Sequence, residues 1–220
     1  MSAEGGRDRS NGVAIRGYRP TDLDALYAIA LATGDAGGDA GALYDDKRLI
    51  GHVYVGPYTA LEATLVLVAE DDTGIGGYVL GTADTRQFEA RQEADWWPAL
   101  RAAYPDPSHT PAAEWTADQR RCHRIHHPPR MPDWLVAPYP AHLHINLLAR
   151  LQGRGVGRRL IGLWLDAARA LATPGVHLGV NEANRRAMGF YRACGFAELA
   201  ARAQEAPQAV WLAMELSSGH

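Results

Sequence analysis

Cysteine, net charge and long apolar runs are all scarce in this sequence of 220 residues. Its two cysteines, Cys122 and Cys194, are too few for a disulfide framework and are typical of a reducing compartment, so we expect a cytoplasmic protein. The net charge of −3 gives a nucleic acid or a membrane surface little electrostatic attraction, and we expect neither as a partner. The apolar runs fall far short of the roughly 20 residues that span a bilayer. These absences favour a soluble intracellular protein held together by an apolar core.

The length favours one domain, since a chain of this size can bury a core without cross-links. Polar, glycine-rich residues 1–11 predict a disordered tail, residues 12–216 a single domain and residues 217–220 a second tail. The N-terminal stretch has no apolar segment, so we expect neither a signal peptide nor a membrane anchor there.

Turn residues and hydrophobic periodicity divide the N-terminal half into a strand, two helices and a hairpin. The predicted elements are a strand over residues 13–18, helices over 23–32 and 46–55, and hairpin strands over 64–70 and 76–84. Thr21 or Asp22 would cap the first helix. Two paired strands, over residues 196–203 and 209–216, are predicted to close the fold.

The most informative segment is the run Gln-Gly-Arg-Gly-Val-Gly-Arg-Arg over residues 152–159, between a predicted strand over 142–148 and an amphipathic helix over 156–172. Its glycines allow tight turns and leave backbone N–H groups uncovered. At a helix N-terminus these groups favour an anion, and three arginines add positive charge. The spacing matches neither a P-loop nor a dinucleotide fingerprint. The run predicts a pyrophosphate site; the alternative is a turn that only reverses the chain. The residues expected at that site are Gln152, Gly153, Arg154, Gly155, Val156, Gly157 and Arg158.

A second strand and helix follow this run. Residues 176–180 alternate as in a strand with one buried face. Asn181 is predicted to cap the next helix, and Gly195 to end it in a left-handed turn. Three residues of that helix have the i, i+3, i+7 spacing that places them on one face. They are Asn184, Ala187 and Tyr191.

Together the two motifs resemble those of the GNAT acetyltransferases: Gln-x-x-Gly-x-Gly after a strand, then Asn-x-x-Ala-x-x-x-Tyr on a helix followed by Gly-Phe. The resemblance covers residues 142–196. The phrases His-Leu-His-Ile and Gly-Val-His-Leu-Gly-Val-Asn also resemble the acetyltransferase-like C-terminal domain of O-GlcNAcases and its bacterial relatives. The resemblance implies an α/β (α+β) fold, with a mixed, mostly antiparallel sheet of about seven strands, a splayed fourth strand and helices on both faces.

The resemblance also implies acetyl-CoA as cosubstrate and direct transfer of its acetyl group to a primary amine. The sequence does not identify that acceptor, and it is compatible with a monomer or a homodimer. The alternative function is a catalytically silent acetyltransferase-like domain that binds CoA or a partner. No obvious carboxylate base is present, which keeps that alternative open.

The family pattern assigns roles to residues on the fourth strand and the second helix. A backbone N–H of the strand, at Leu147 or Leu148 with Ala149 beside them, would hold the thioester carbonyl. The cofactor arm would lie in a groove formed by Asn184, Ala187 and Phe190. Tyr191 is the candidate acid, because a phenol with a pKa near 10 can protonate a thiolate with a pKa of about 8.5. The alternative is a ring that only packs between helix and sheet.

The general base is less well defined. His142, His144 and Asn146 alternate along one face of the fourth strand, which predicts a cavity or a hydrogen-bonded network. His144 is the candidate base, and a structural histidine is the alternative. Relatives with an acidic base place it on or near this strand, where Asn146 cannot accept a proton. Asp84, Glu182 or a water relay are the other candidates.

Residues 86–140 hold nine of the thirteen prolines and four of the six tryptophans. Their aromatic content favours packing over disorder, and Pro98 disfavours one straight helix through residues 88–104. We interpret the segment as an insertion that covers the acceptor side of the site; the alternative is additional core. Residues 122–127 hold one cysteine and three histidines, but closed zinc sites usually draw on two separated ligand pairs, so we expect no metal. Both cysteines are expected to be inert.

Overall fold

The protein is described by a computed structural model over residues 8–10, 12–199 and 209–216. Its centre is a sheet of eight strands. The strands are β1 (Asp8–Ser10), β2 (Val13–Gly17), β3 (Leu67–Asp71), β4 (Gly74–Thr82), β5 (Ala141–Leu147), β6 (Gly175–Asn181), β7 (Ala197–Glu198) and β8 (Ala209–Glu215). Their order across the sheet is β1-β2-β3-β4-β5-β6-β8-β7.

Neighbouring strands are antiparallel except β5 and β6, which are parallel. These two strands pair only at Ala141 with Val176 and at His142 with His177. Beyond those pairs β5 and β6 separate, so a gap opens toward their C-terminal ends. The predicted fold class is confirmed: the sheet is mixed and mostly antiparallel, and β5, the fourth of its longer strands, is the splayed one.

Helices cover both faces of the sheet. They are α1 (Leu23–Ala32), α2 (Leu49–Tyr54), α3 (Gly56–Leu61), α4 (Thr85–Arg91), α5 (Trp97–Ala103), α6 (Ala117–His126), α7 (Asp133–Val136), α8 (Val156–Ala170) and α9 (Arg185–Ala193). Single 3₁₀ turns lie between several of them, and a π-helical segment, Gln92–Trp96, links α4 to α5. No helix of the described ranges is long and apolar enough to cross a membrane.

The two faces of the sheet have separate apolar cores. On one face α8 is anchored by the fully buried Trp164, whose indole N–H donates to the Leu65 carbonyl at 3.0 Å. On the other face Tyr78 and Leu80 of β4 pack against α1 and α3. His144 lies directly opposite Leu80 in the register of β4 and β5, so the polar face of β5 points toward the layer of α1 and α3.

Most predicted elements are present with shifted ends. α1 has the predicted bounds, α8 ends two residues early, and the predicted hairpin forms as β3 and β4. Gly195, with φ of 96°, follows α9 in the left-handed conformation as predicted. Asp22 holds the cap position of α1 but its side chain does not cap that helix. Its carboxylate binds Arg16 at 2.7 Å and accepts the Arg19 backbone N–H at 2.7 Å, in the cap of the 3₁₀ turn before α1. The last two predicted strands form as β7 and β8, and residues 200–203 of the first of them lie outside the described residues.

Three local predictions are wrong. The helix predicted over residues 46–55 begins only at Leu49. In the turn before it, the Asp46 carboxylate accepts hydrogen bonds from the Tyr104 hydroxyl and from the Arg48 backbone N–H, which favours a turn over a helix there. Asn181 ends β6 and does not cap α9; that role belongs to Asn184, whose side chain accepts the backbone N–H at position 187. Residues 8–10 of the predicted tail pair with β2, while residues 1–7 and 11 lie outside the described residues.

The predicted insertion, residues 86–140, forms α4 to α7 between β4 and β5. Pro98 lies in the first turn of α5, directly after the π-helical segment, so residues 88–104 do not form one regular α-helix, as predicted. Trp97 and Ile125 pack against Leu49 of α2 in a third apolar cluster. The insertion is therefore attached to the helical layer that faces the polar side of β5.

Candidate active site

The gap between β5 and β6 belongs to a cavity of about 840 Å³. Predicted site residues on its wall are His144, Asn146, Leu147, Gln152, Gly153, Gly155, Gly157, Arg158, Asn184, Ala187, Phe190 and Tyr191. Predicted residues outside the wall are Leu148, Ala149, Arg154 and Val156. One cavity therefore joins both sequence motifs, which lie on separate elements.

The glycine-rich run forms the turn that leads into α8. Gly153 and Gly155 have φ of 73° and 76°, conformations that side chains disfavour, and a Cβ at either position would meet nothing within 4 Å. Gly155 is the N-cap of α8 and supplies no side-chain cap, so the first N–H groups of a 15-residue helix remain available for an anion. Arg154 and Arg158 are exposed beside this turn. The arrangement is suited to binding phosphate.

Gly157 is required for a different reason. A Cβ there would lie 3.1 Å from a methyl carbon of Leu147 and 3.1 Å from the ring of Phe190. The glycine therefore lets α8 approach both β5 and α9 closely. Val156 is buried in the core, so only its backbone can contribute to binding.

The backbone of β5 decides which N–H group faces the gap. The N–H of Leu148 donates to the Gly76 carbonyl at 2.8 Å, so it is not available to a ligand and this half of the prediction is corrected. Bonding directions alternate along an antiparallel pair, so the N–H and C=O of Leu147 point away from β4, toward the gap. The Gln152 amide donates to that Leu147 carbonyl at 2.7 Å. Leu147 is therefore the position that can present an N–H to a bound carbonyl group.

A hydrogen-bond chain with one possible direction runs along the polar face of β5. The Thr85 hydroxyl donates its only proton to the Pro140 carbonyl at 2.6 Å, so it accepts from His142 Nδ1 at 2.7 Å. His142 Nε2 then carries a lone pair and accepts from the Tyr58 hydroxyl at 2.7 Å. The Tyr58 oxygen accepts in turn from His144 Nε2 at 3.1 Å. This order assigns the proton of His144 to Nε2 and leaves the Nδ1 lone pair as its acceptor.

The two histidines of this hydrogen-bond chain, His142 and His144, are neutral at physiological pH. Burial lowers the pKa of His142 well below 6.5, and the neighbouring His177 lowers it further. Burial, together with the positive charge of Arg124, lowers the pKa of His144 to about 4. His144 can therefore accept a hydrogen bond, but it is a weak base.

The other candidate bases lie elsewhere. Asp84 is exposed and caps α4 through the Gln87 N–H, and Glu182 is exposed beyond the end of β6. Neither lines the cavity. Asn146 does, and its amide donates to the Thr33 hydroxyl at 2.6 Å. The described carboxylates named in the prediction are thus outside the cavity wall.

Tyr191 lies at the opposite side of the cavity from the helical layer that covers His144. Its ring belongs to the core on the α8 face and packs edge-on against Phe196, with the centroids 5.8 Å apart. Burial and the nearby Cys194 raise the pKa of Tyr191. The phenol is therefore protonated at neutral pH, as a proton donor must be.

The run at residues 122–127 takes part in structural contacts. His126 lies 2.8 Å from the Tyr104 carbonyl oxygen, and His127 lies 2.8 Å from the Asp106 carboxylate. Within the described residues no group of three or more histidines, cysteines or acidic residues could hold a metal ion. Burial raises the pKa of the Cys122 and Cys194 thiols, which disfavours the reactive thiolates.

Sequence reasoning missed three residues of the site: Tyr58, Thr85 and Arg121. Tyr58 and Thr85 lie 84 and 57 residues from His142 in sequence, and no motif surrounds them. Arg121, from the insertion, lines the cavity on the side of α2. Only the alternating polar face of β5 indicated that such partners had to exist.

Comparison with known proteins agrees with this geometry. The model of the acetyltransferase (GNAT) family matches residues 16–196. The solved structure of SsHAT is 38% identical, with a TM-score of 0.84 over 94% of this chain and 99% of that chain. Protein O-GlcNAcase of Rattus norvegicus is 26% identical over 188 residues, which is 84% of this chain and 20% of that protein, so the chain spans about a fifth of this curated relative.

A more distant structure shows the fold alone. It is yncA, a putative acetyltransferase from Salmonella typhimurium with its cofactor acetyl-CoA, which is 16% identical with a TM-score of 0.54 over 95% of this chain and 96% of that chain. Both resemblances predicted from the motifs are confirmed. The match over residues 16–196 covers most of the 220 residues. The chain belongs to the acetyltransferase (GNAT) family.

Proposed function

We propose that the protein is an N-acetyltransferase that moves the acetyl group of acetyl-CoA directly to a primary amine. The observation that carries this proposal is the shared cavity: an uncapped helix N-terminus, a free strand edge and a hydrogen-bonded histidine line the same space. These are the parts that binding a pyrophosphate, polarising a thioester and receiving an amine require.

Acetyl-CoA would extend from the turn before α8 into the gap between β5 and β6. Backbone N–H groups of residues 153–158 would bind its pyrophosphate, with Arg158 adding charge. The pantetheine arm would run beside β5 in the manner of an added strand, past Ala187 and Phe190. The Leu147 N–H would then hold the thioester carbonyl and stabilise the oxyanion that forms on attack.

The chemistry needs one bond to form and one to break. The neutral amine nitrogen attacks the thioester carbon, and the C–S bond breaks as the tetrahedral intermediate collapses. Tyr191 would donate its proton to the leaving thiolate. His144 Nδ1 would orient the amine by accepting a hydrogen bond from one of its N–H groups. The proton that the nitrogen loses would pass to His144 or to a water relay. Asn146 would help to position His144 and the acceptor from the same strand face.

A second candidate is a silent domain that binds CoA or a partner without transferring the acetyl group. The observation that favours it is the weak base: the pKa of His144 is about 4, and Asp84 and Glu182 lie outside the cavity wall. In other respects the two candidates agree. In both, the protein is a monomer or a homodimer that binds acetyl-CoA and neither nucleic acid nor membrane.

The two candidates differ in turnover. Purified protein would be incubated with acetyl-CoA and a panel of primary amines, and release of the CoA thiol would be followed with a thiol reagent. Amine-dependent release, with the acetylated amine identified by mass spectrometry, is the expected result. Tight binding of acetyl-CoA with no transfer to any amine would contradict the enzyme and support the silent domain.

A further inference from the structure

The insertion brings one cation to the wall of the cavity. Arg121 of α6 lines the cavity, and its Nε donates to the Tyr44 hydroxyl at 2.9 Å. Its guanidinium carbon lies 5.2 Å from the centre of the Tyr54 ring and 6.0 Å from that of Tyr44. Two aromatic rings therefore hold the guanidinium, while its terminal Nη atoms make no hydrogen bond to any described residue.

This charge has no counter-ion in the described ranges. No carboxylate of those residues lies within 4.0 Å of Arg121 or of Arg124, one turn further along α6. The guanidinium of Arg124 lies 5.4 Å from the centre of the same Tyr54 ring. A half-buried cation without an anion is costly, and a second one nearby raises the cost. Such a site gains most from an anionic ligand.

The position of Arg121 distinguishes acceptor from cofactor. The Tyr54 ring that contacts Arg121 also lies 6.4 Å from the His144 ring, on the sheet face covered by α1 to α3. The phosphate-binding turn belongs to α8, which covers the opposite face. Arg121 is thus placed beside the group that would receive the amine, away from the phosphates of CoA.

We propose that the acceptor is an amino acid-like molecule, a primary amine that also carries a carboxylate bound by Arg121. The two Nη atoms form a planar fork that matches a carboxylate, and the amine would reach His144 past the Tyr54 ring. This rests on the proposed function, and it gives the insertion its role as the source of the residue that selects the acceptor.

Three acid and amide pairs test the claim: glycine and glycinamide, 4-aminobutanoate and 4-aminobutanamide, 6-aminohexanoate and 6-aminohexanamide. Binding to the protein in saturating CoA would be measured by calorimetry. At least one acid should bind about tenfold more tightly than its amide, in line with a charge-assisted hydrogen-bonded pair. Arg121→Gln should abolish that preference. Arg120→Gln, which removes an exposed arginine of the same helix, should preserve it.

Equal binding of acid and amide, no binding of any acid, or a preference that survives Arg121→Gln would overturn the anion site. Acetyl transfer to the same compounds separates the two proposals. A preference for the acid without transfer overturns the proposed function and leaves the anion site. Transfer to amides as fast as to acids, unchanged in Arg121→Gln, leaves the function and overturns the anion site.

Discussion

The two halves of the cavity are built in different ways. The half proposed for the cofactor is centred on one continuous segment, residues 147–158, with α9 beside it, and would act mainly through backbone groups that glycines expose. The acceptor half is assembled from side chains of α2, α3, α4, α6 and β5, which are far apart in sequence. One half therefore depends on local conformation and the other on tertiary packing. Substitutions that respect this division test whether it is real.

Gly155→Asp should have the largest effect, because it places a carboxylate where the phosphates would bind. Aspartate tolerates the left-handed conformation better than most residues, so the fold should persist. We expect affinity for acetyl-CoA, measured by calorimetry, to fall roughly a hundredfold, the value of one or two charge-assisted hydrogen bonds. Gly162→Asp, which makes the same change two turns along α8 in open space, should bind normally. Equal losses in both variants would contradict the placement of the phosphates.

Tyr191→Phe removes one hydroxyl group at the boundary between the halves. If the phenol protonates the leaving thiolate, kcat should fall by about 30-fold, somewhat less than is usual for the loss of a general acid because a thiolate is a good leaving group. The Kd for acetyl-CoA and the melting temperature should change little, since the ring still packs against Phe196. An unchanged kcat would remove Tyr191 from the mechanism.

Acid should destabilise the fold through buried neutral histidines, among them His177 of β6, which lies next to His142 with ring centres 5.5 Å apart. His177 is 2% exposed, and burial lowers its pKa to about 4, whereas its pKa in the unfolded chain is near 6.5. Between pH 6.5 and pH 4, His177 is protonated in the unfolded chain but not in the folded chain. The free energy of unfolding therefore falls as the pH drops through this range. At pH 5 the loss from His177 alone should be about 2 kcal/mol. His177→Gln should reduce the difference between unfolding free energies at pH 7 and pH 5, and the exposed His109→Gln should not; equal changes would refute this assignment.

Tyr58→Phe interrupts the hydrogen-bond chain while keeping the stack on Phe88, whose ring centre lies 4.5 Å away. Loss of the hydroxyl leaves His142 without its donor, so we expect a stability loss of about 1–3 kcal/mol and a fall in kcat of about tenfold. The ¹⁵N chemical shifts of the His144 ring should change from values typical of a single Nε2–H tautomer to values typical of a mixture of tautomers.

Tyr104→Phe is the matched control for this change. The Tyr104 hydroxyl donates to the Asp46 carboxylate at 2.6 Å and takes no part in the hydrogen-bond chain along β5. Its loss should therefore affect stability alone. If His144 keeps a single Nε2–H tautomer in Tyr58→Phe, the hydrogen-bond chain through Tyr58 does not determine which ring nitrogen of His144 carries the proton.

The same division explains what the sequence could predict. The run at residues 152–158 is continuous in the chain, so its glycine spacing and the following helix were enough to predict the turn before α8. The alternation of His142, His144 and Asn146 indicated a polar network, since buried polar groups need partners. Their partners, Tyr58 and Thr85, could not be predicted because only the folded sheet brings them together.

The errors have related causes. Asn181 and Asn184 are equally good helix caps by residue type, and the extension of β6 to Asn181 decided between them. Leu148 and Leu147 could not be separated by sequence, because the direction of an N–H depends on the register with β4. Arg121 carried no signal in the sequence, since its significance comes from the absence of a described counter-ion beside it.

We propose above all that the turn before α8 and the gap beside β5 form an acetyl-CoA site. Titration of the purified protein with acetyl-CoA in a calorimeter tests it most directly. We predict one site per chain with a dissociation constant of micromolar order, a binding free energy of about −8 kcal/mol. Absence of binding, or binding that Gly155→Asp leaves unchanged, would contradict the account.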